Sequence, residues 1–506
     1  MLTKATGNWT KKEARHLLSR AGFGGSPEDV ESFHRLGREK VVNFLLEPTE
    51  RIDAIPKPEW ANIESVRENM MEAMEMRREV MSETEGMSRE EADKARRAAQ
   101  REIQQKNRRQ GLEGQGWWFR KMLTTDAPLR EKMTLFWHDH FATSIQKVKQ
   151  PALMIVQNEL FREHAFGNFR ELTQDVVRDP AMMLYLDTQR SSKAQPNENF
   201  AREVMELFTL GEGNYSEEDV KNAARAFTGY RLNRLTGEVV QNVGAWDGGE
   251  KEIFGETGKF NGSDVVKLIF RKDRCADFMA EKVWEFFAYE NPDDEIVVWL
   301  GKVLRDADYE MKPLLKAVFL SAEFYSEKAV GTQIKCPVQY LVQMLKELEM
   351  ESPPMGLAIT GQVQLGQVLF MPPNVAGWDW GKAWINTNTL LTRYNIAGNL
   401  TKGSYDDGKR GDAMRGRARD RMAKRAAMNR GGAAPVFSEI AGSDLRNHTE
   451  ELVDSLIERF FSVPIPAQAR KSFLEYAESK KGGTFTDKEL GELCHLMLST
   501  PYYQLC

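Results

Sequence analysis

A chain of 506 residues with 41% hydrophobic and 29% charged residues has the composition of a folded globular protein with a sizeable core, which excludes a disordered or membrane-embedded class. A net charge of −5 lacks the basic bias that a nucleic-acid-binding chain needs. No apolar run approaches a membrane span, and Cys275, Cys336, Cys494 and Cys506 show no Cys-x-x-Cys spacing, so reduced and mostly buried thiols are expected.

The opening MLTKATGNWTKKEARHLL has no apolar leader segment. A cytoplasmic location is therefore expected, with export the alternative if a leader has been removed. Thr10 and Glu13 form a capping box ahead of a helix that stops at Gly22 and Gly24–Gly25, and a second helix follows SPEDVESFHRLG. These make an N-terminal helical region over 1–59. Residues 60–115 read as a charged helical hairpin insert, broken near Gly86, its thin apolar content mostly methionine (Met70, Met71, Met74, Met76, Met81).

A helical core over 116–400 follows. It is interrupted by a Gly-rich stretch near 235–258 that should form a short β-hairpin or ordered loop. Helical periodicity returns over 263–350, and 351–396 is irregular and rich in Pro, Gly and Trp. Residues 401–434 are of low complexity and read as a mobile loop or loose helix; 435–506 return to helices packed on the core. The fold class expected is mainly α, a multi-helical globular array.

Chemistry-bearing residues concentrate in PNENFAREVMELFTLGEGNYSEEDVKNAARAFTGY, Pro196–Tyr230. At ~100° per residue, Glu198, Arg202, Glu206 and Glu203 fall within roughly a 140° arc, opposite Phe200, Val204, Leu207 and Phe208. Glu198–Arg202 and Arg202–Glu206 are i,i+4 pairs, so one guanidinium can bridge two carboxylates in a ladder. Glu203 has no local partner and is a candidate general base or metal ligand. A plain surface ladder is the competing reading. Ser216 with Asp219 makes a capping box that opens the next helix.

In REKMTLFWHDHFATS, His138 and His140 point to different sides of a straight helix, so they share a metal only on irregular backbone. Glu203, Glu206 or Asp139 would be the third ligand of a divalent metal; otherwise one histidine faces the charged helix as an acid, a base or a structural group. In RDPAMMLYLDTQRS, Asp179 before Pro180 reads as a helix N-cap, and Asp187 is the better functional candidate. MPPNVAGWDWGKAWINTNTLLTR places Trp378, Trp380 and Trp384 with Asn374, Asp379, Asn386 and Asn388 on an irregular loop. That loop either walls a pocket, stacking on a sugar ring, or plugs the core. No Gly-x-Ser-x-Gly elbow, Walker A loop, His-Glu-x-x-His or dinucleotide fingerprint is present.

Six motifs then stand in order: HLLSRAGFG, REKMTLFWHDHFATS, RDPAMMLYLD, the Pro196–Tyr230 segment, WDGGEKEIFGETG and MPPNVAGWDWGKAWIN. Together they resemble the bacterial family catalogued as "domain of unknown function 1800" over nearly the whole chain. The resemblance supplies no catalytic residues. It implies a partner, since members are often encoded beside a sulfatase-like family catalogued as "domain of unknown function 1501".

The leading expectation is a hydrolase- or lyase-like enzyme acting on a glycan or other anionic polymer. Its catalytic group would be Glu203, Glu206, Arg202, His138 and His140. Asp187, Glu198, Asn374, Trp378 and Trp384 would contact a polysaccharide. Two alternatives stay open. One is a non-catalytic scaffold or binding protein whose Arg–Glu ladder is structural and which works with the sulfatase-like partner. The other is a metal-binding protein using His138, His140 and Glu203.

Overall fold

The computed structural model describes residues 2–47, 55–233, 236–350, 355–402, 435–480 and 483–506. Thr10 and Glu13 close the expected capping box and start α1 (Lys11–Arg20); Ser26 and Asp29 do the same for α2 (Pro27–Leu36), and α3 (Arg38–Leu46) follows. The charged hairpin consists of α4 (Ile63–Glu83) and α5 (Arg89–Thr124), turning at Gly86, with a further capping box at Ser88. Within α4, Val66 is the buried residue; α5 runs past residue 115 without a break and buries Trp117, Trp118 and Phe119 near its end. Arm and core are thus joined by one continuous helix.

Pro128 sits at the first position of α6 (Pro128–His140), where no intrahelical N–H is lost. Next come the short α7 (Ile145–Val148), then α8 (Pro151–Glu163), α9 (Phe169–Val176) and α10 (Pro180–Tyr185). Asp179 caps α10 as its sequence predicts, accepting from the Met182 N–H at 2.7 Å. The charged segment forms α11 (Glu198–Met205), which widens into a π turn over Glu206–Leu210, and the Ser216–Asp219 box opens α12 (Glu217–Ala226).

The Gly-rich stretch makes two small antiparallel hairpins. In one, β1 (Tyr230–Leu232) pairs with β2 (Val239–Gln241), Arg231 opposite Val240. In the other, β3 (Lys251–Ile253) pairs with β4 (Glu256–Gly258), Glu252 opposite Thr257. Phe254, at the second turn, has a φ of 53° and is held there by its N–H to Asp219 Oδ1 (2.6 Å) and by Lys272 over its ring.

Helices resume as α13 (Gly262–Ile269), α14 (Asp273–Phe287), α15 (Asp294–Asp306), α16 (Met311–Phe319), α17 (Pro337–Glu347) and α18 (Met355–Leu365). The Pro/Gly/Trp segment has one 3₁₀ turn, Gly381–Trp384, before α19 (Thr387–Thr401). The C-terminal helices are α20 (Phe437–Ile440), α21 (Thr449–Phe460), α22 (Ala467–Lys480) and α23 (Asp487–Leu498). The low-complexity stretch expected over 401–434 lies, from 403 on, outside the described residues.

The fold is mainly α with short hairpins, and one continuous apolar cluster runs from Ala14 to Tyr503. Trp118, Trp137 and Trp284 are fully enclosed, each aromatic contributing about 1.5–3 kcal/mol by burial. Among the described residues no helix is long and apolar enough to cross a membrane. The four cysteines are unpaired, and Cys275, Cys494 and Cys506 are buried.

Candidate functional site

The charged face of α11 is self-satisfied, but not as the i,i+4 spacing predicts. Arg202 grips Glu217, at the start of α12, with two hydrogen bonds of 2.7 Å, and reaches Glu198 only at 4.0 Å. Glu206 instead accepts from the Tyr215 hydroxyl. The expected Glu198–Arg202–Glu206 ladder is therefore an Arg202–Glu217 clamp with Glu206 tied to Tyr215. A bidentate geometry outweighs an extended i,i+4 reach. Glu206 keeps the helical bond of its N–H to the Arg202 carbonyl oxygen, so it is the choice of side-chain partners, not the backbone, that breaks the ladder. Glu203 remains half-buried, its carboxyl held above the ordinary range by burial and by the Glu206 charge. Asp187 adopts a φ of 57° and pairs with Lys147 at 2.7 Å.

The two histidines of α6 serve different neighbours. Nε2 of His138 lies 3.0 Å from Asn158 Nδ2, and Asn158 Oδ1 accepts from Arg162 at 2.8 Å. Arg162 in turn holds the buried Glu131 through bonds of 2.6 and 3.0 Å, and Glu131 also accepts from the Trp118 indole. Burial, aided by the Arg162 charge, keeps the His138 imidazole neutral, well below its ordinary value. His140 Nε2 lies 2.9 Å from the Phe208 carbonyl oxygen of the π turn, and burial pushes its pKa down to about 3. His138, His140 and Glu203 are thus not brought together. Among the described residues, no group of three or more His, Cys, Asp or Glu is placed to hold a metal ion.

Between the histidines, Asp139 leads to a different site. Pro372–Pro373 keep the following loop out of helix, and it closes over the end of α6. The Trp378 N–H donates to Asp139 Oδ1 at 2.7 Å, and the Trp380 side chain also hydrogen-bonds this carboxyl. Gly377, at φ 90°, permits the contact: a Cβ there would lie 2.5 Å from Asp139 Oδ1. Gly381 likewise faces Glu290, its Cβ position overlapping Oε1. Asn374 stabilises the loop's start by accepting from the Ala376 N–H at 2.8 Å.

Under this loop lies a narrow cavity of about 40 Å³, lined by Lys132, Asp139, Glu290, Gln339, Trp378 and Trp380 among others. That volume holds about three waters. Trp378 and Trp384 are 4% and 5% exposed, whereas Trp380 is 43% exposed at the edge. Burial raises Asp139 to about 7, opposed by the Trp378 N–H. Lys132 is buried at the other end, its Nζ 2.7 Å from Gln339 Oε1 and facing the rings of Phe23 and Phe286.

The Trp loop therefore roofs α6 through Asp139; His138, His140 and the acids of α11 do not line the cavity. Sequence reasoning named Asp139 only as a metal ligand and passed over Lys132 and Glu290. The available signal was the spacing Lys132, Leu135, Asp139 (i, i+3, i+7), which sets three side chains on one helix face. Glu290, Gln339 and the loop come from distant segments, with no local pattern to join them.

No curated protein and no solved structure matches the chain significantly. The family model described as "Protein of unknown function (DUF1800)" matches residues 16–505, and the chain belongs to that family.

Proposed function

We propose that this chain is a glycan-acting hydrolase whose proton donor is Asp139. The observation that carries the reading is a carboxyl, raised to about 7, facing a tryptophan-walled cavity that also presents Glu290. In this reading Asp139 gives its proton to the glycosidic oxygen as the bond to the anomeric carbon breaks. A water adds its hydroxyl to that carbon and loses its other proton to Glu290. Trp380, exposed at the edge, stacks on the sugar ring. The test is a panel of neutral and charged polysaccharides offered to wild type and Asp139→Asn. Loss of the acid is expected to slow cleavage about 100- to 10,000-fold. Undiminished cleavage by Asp139→Asn would sink the assignment.

A second reading, a non-catalytic scaffold for a sulfatase-like partner, is favoured by the internal partners of Arg202, Glu206, His138 and His140. It requires co-elution with that partner on gel filtration and no cleavage of any polysaccharide by the wild-type protein. Cleavage lost in Asp139→Asn rules it out.

A further inference from the structure

Three methionines crowd one turn of the arm, outside the cavity. Helix α4 carries Met70, Met71 and Met74, so that Met74 faces Met70 at i,i+4 and Met71 at i,i+3. At ~100° per residue the three lie within roughly a 100° arc, with about 5–6 Å from the Met74 Cβ to each of the others. Met70 is half-buried and packs against the core cluster, whereas Met71 and Met74 are 44% and 40% exposed. Folding gives these two little return. They bury little apolar area, and Glu, Lys or Gln would serve the helix as well.

What the cluster offers is sulfur. A methionine side chain is unbranched and polarisable, with three rotatable bonds, so neighbouring thioethers can turn to a common point. A thioether is a neutral donor that needs no deprotonation, and such soft donors select Cu(I) rather than the hard cations that carboxylates hold. The helix supplies favourable charge: its six glutamates outnumber its three arginines, and Glu68 and Glu75 flank Met71 at i−3 and i+4. Of the arginines nearby, Arg67 pairs with Glu64 at 3.5 Å, and Arg78 is exposed, where water and salt screen it. Among the described residues His, Cys, Asp and Glu gather nowhere to hold a metal, so the thioether set is a different kind of site.

We infer that Met70, Met71 and Met74 bind one soft monovalent cation, Cu(I), through their three sulfurs. The site is independent of the cavity and of the glycan reading. Met74 is its pivot, because both other side chains face it. Met81 is a control within the same helix. It is 68% exposed, yet stands seven residues beyond Met74, a rise of about 10 Å, too far to share an ion. A thioether carries no proton to lose, so uptake is the same at about pH 5 and about pH 7, unlike uptake at a histidine site.

The test uses the full chain with methionine labelled at its methyl carbon, and Ag(I) as the redox-inert probe. Thiols bind the same ion, so accessible cysteines are first capped with iodoacetamide, and the readout is confined to methionine methyl resonances. Single Met→Leu substitutions assign them. Met70, Met71 and Met74 are expected to shift on one curve, complete at about one equivalent, and Met81 only at about tenfold more ion. Met74→Leu, close in volume and as good a helix former, is expected to weaken the response of Met70 and Met71 about tenfold or more. Met81→Leu should leave it unchanged, as should a move from about pH 7 to about pH 5. Four results would each overturn the site: Met81 responding at the same ion concentration as the three, Met70 and Met71 unaffected by Met74→Leu, a response lost at about pH 5, or no shift of the three at about ten equivalents.

Discussion

Asp139 and Asp179 are both pushed up to about 7 by burial, yet they have different work: Asp139 faces a cavity, and Asp179 caps α10 and accepts from Gln157 at 2.7 Å. A carboxyl raised on folding takes up a proton as the chain folds. Its contribution to stability is complete below the ordinary value of 3.8 and is lost as pH rises to about 7. His140, lowered to about 3, acts in the opposite sense: its contribution is present above 6.5 and is lost as pH falls. The two effects overlap, so only a comparison by substitution separates them. Urea midpoints of wild type should fall relative to Asp179→Asn as pH rises from about 4 to about 8; parallel curves would refute the shift. For the proposed activity the same logic gives a limb: kcat/KM should decline above about pH 7, where Asp139 loses the proton it must donate.

Among the elements, α6 organises the interior because each of its faces meets a different partner. One face carries Glu131 and His138 into the Trp118–Asn158–Arg162 network, His140 meets the π turn after α11, and Lys132 with Asp139 meets the cavity. Glu131 is 1% exposed, and its removal takes two acceptor bonds from the Arg162 guanidinium and leaves Glu159 as the carboxylate it pairs with. Glu131→Ala is expected to cost about 3–5 kcal/mol in urea unfolding, far more than an exposed charge would. Gly377→Ala tests the loop: at a φ of 90° its Cβ would collide with Asp139 Oδ1 and with the Asp139 carbonyl oxygen, so the urea midpoint should fall together with glycan binding.

What could be read in advance followed the range of the signals. Capping boxes at Thr10, Ser26, Ser88 and Ser216 are fixed within four residues, and the helices they start were legible. The partner of Arg202 was not, because Glu217 lies on the next helix. The glycines, prolines and tryptophans of the 371–386 loop announced irregular backbone, but left open whether it walls a pocket or plugs the core. That the wall covers Asp139 rather than Glu203 is decided by chain segments 239 residues apart.

At the scale of the molecule, the ends of the chain are tied to one core. Arg20 of α1 donates to the Ala288 carbonyl, and Arg393 of α19 reaches the Lys335 carbonyl and Gln504. Tyr503 donates to Glu347 of α17 at 2.7 Å. Such ties, over sequence separations of 58 to 268 residues, accompany one apolar cluster that, among the described residues, spans both the helices of 116–400 and those of 435–506. Core unfolding should then be a single event, with tryptophan emission and far-ultraviolet circular dichroism giving coincident urea transitions. The exception is the arm. Helix α4 buries Val66 and leaves Met71, Met74 and Met81 exposed, so opening it uncovers little apolar surface. Its amides should exchange at least about a hundredfold faster than those of α6 in the native state, at a urea concentration where both spectroscopic signals are still flat. Equal protection of α4 and α6 would mean that the arm is part of the cooperative unit, held by contacts on its exposed side that the folded chain itself does not supply.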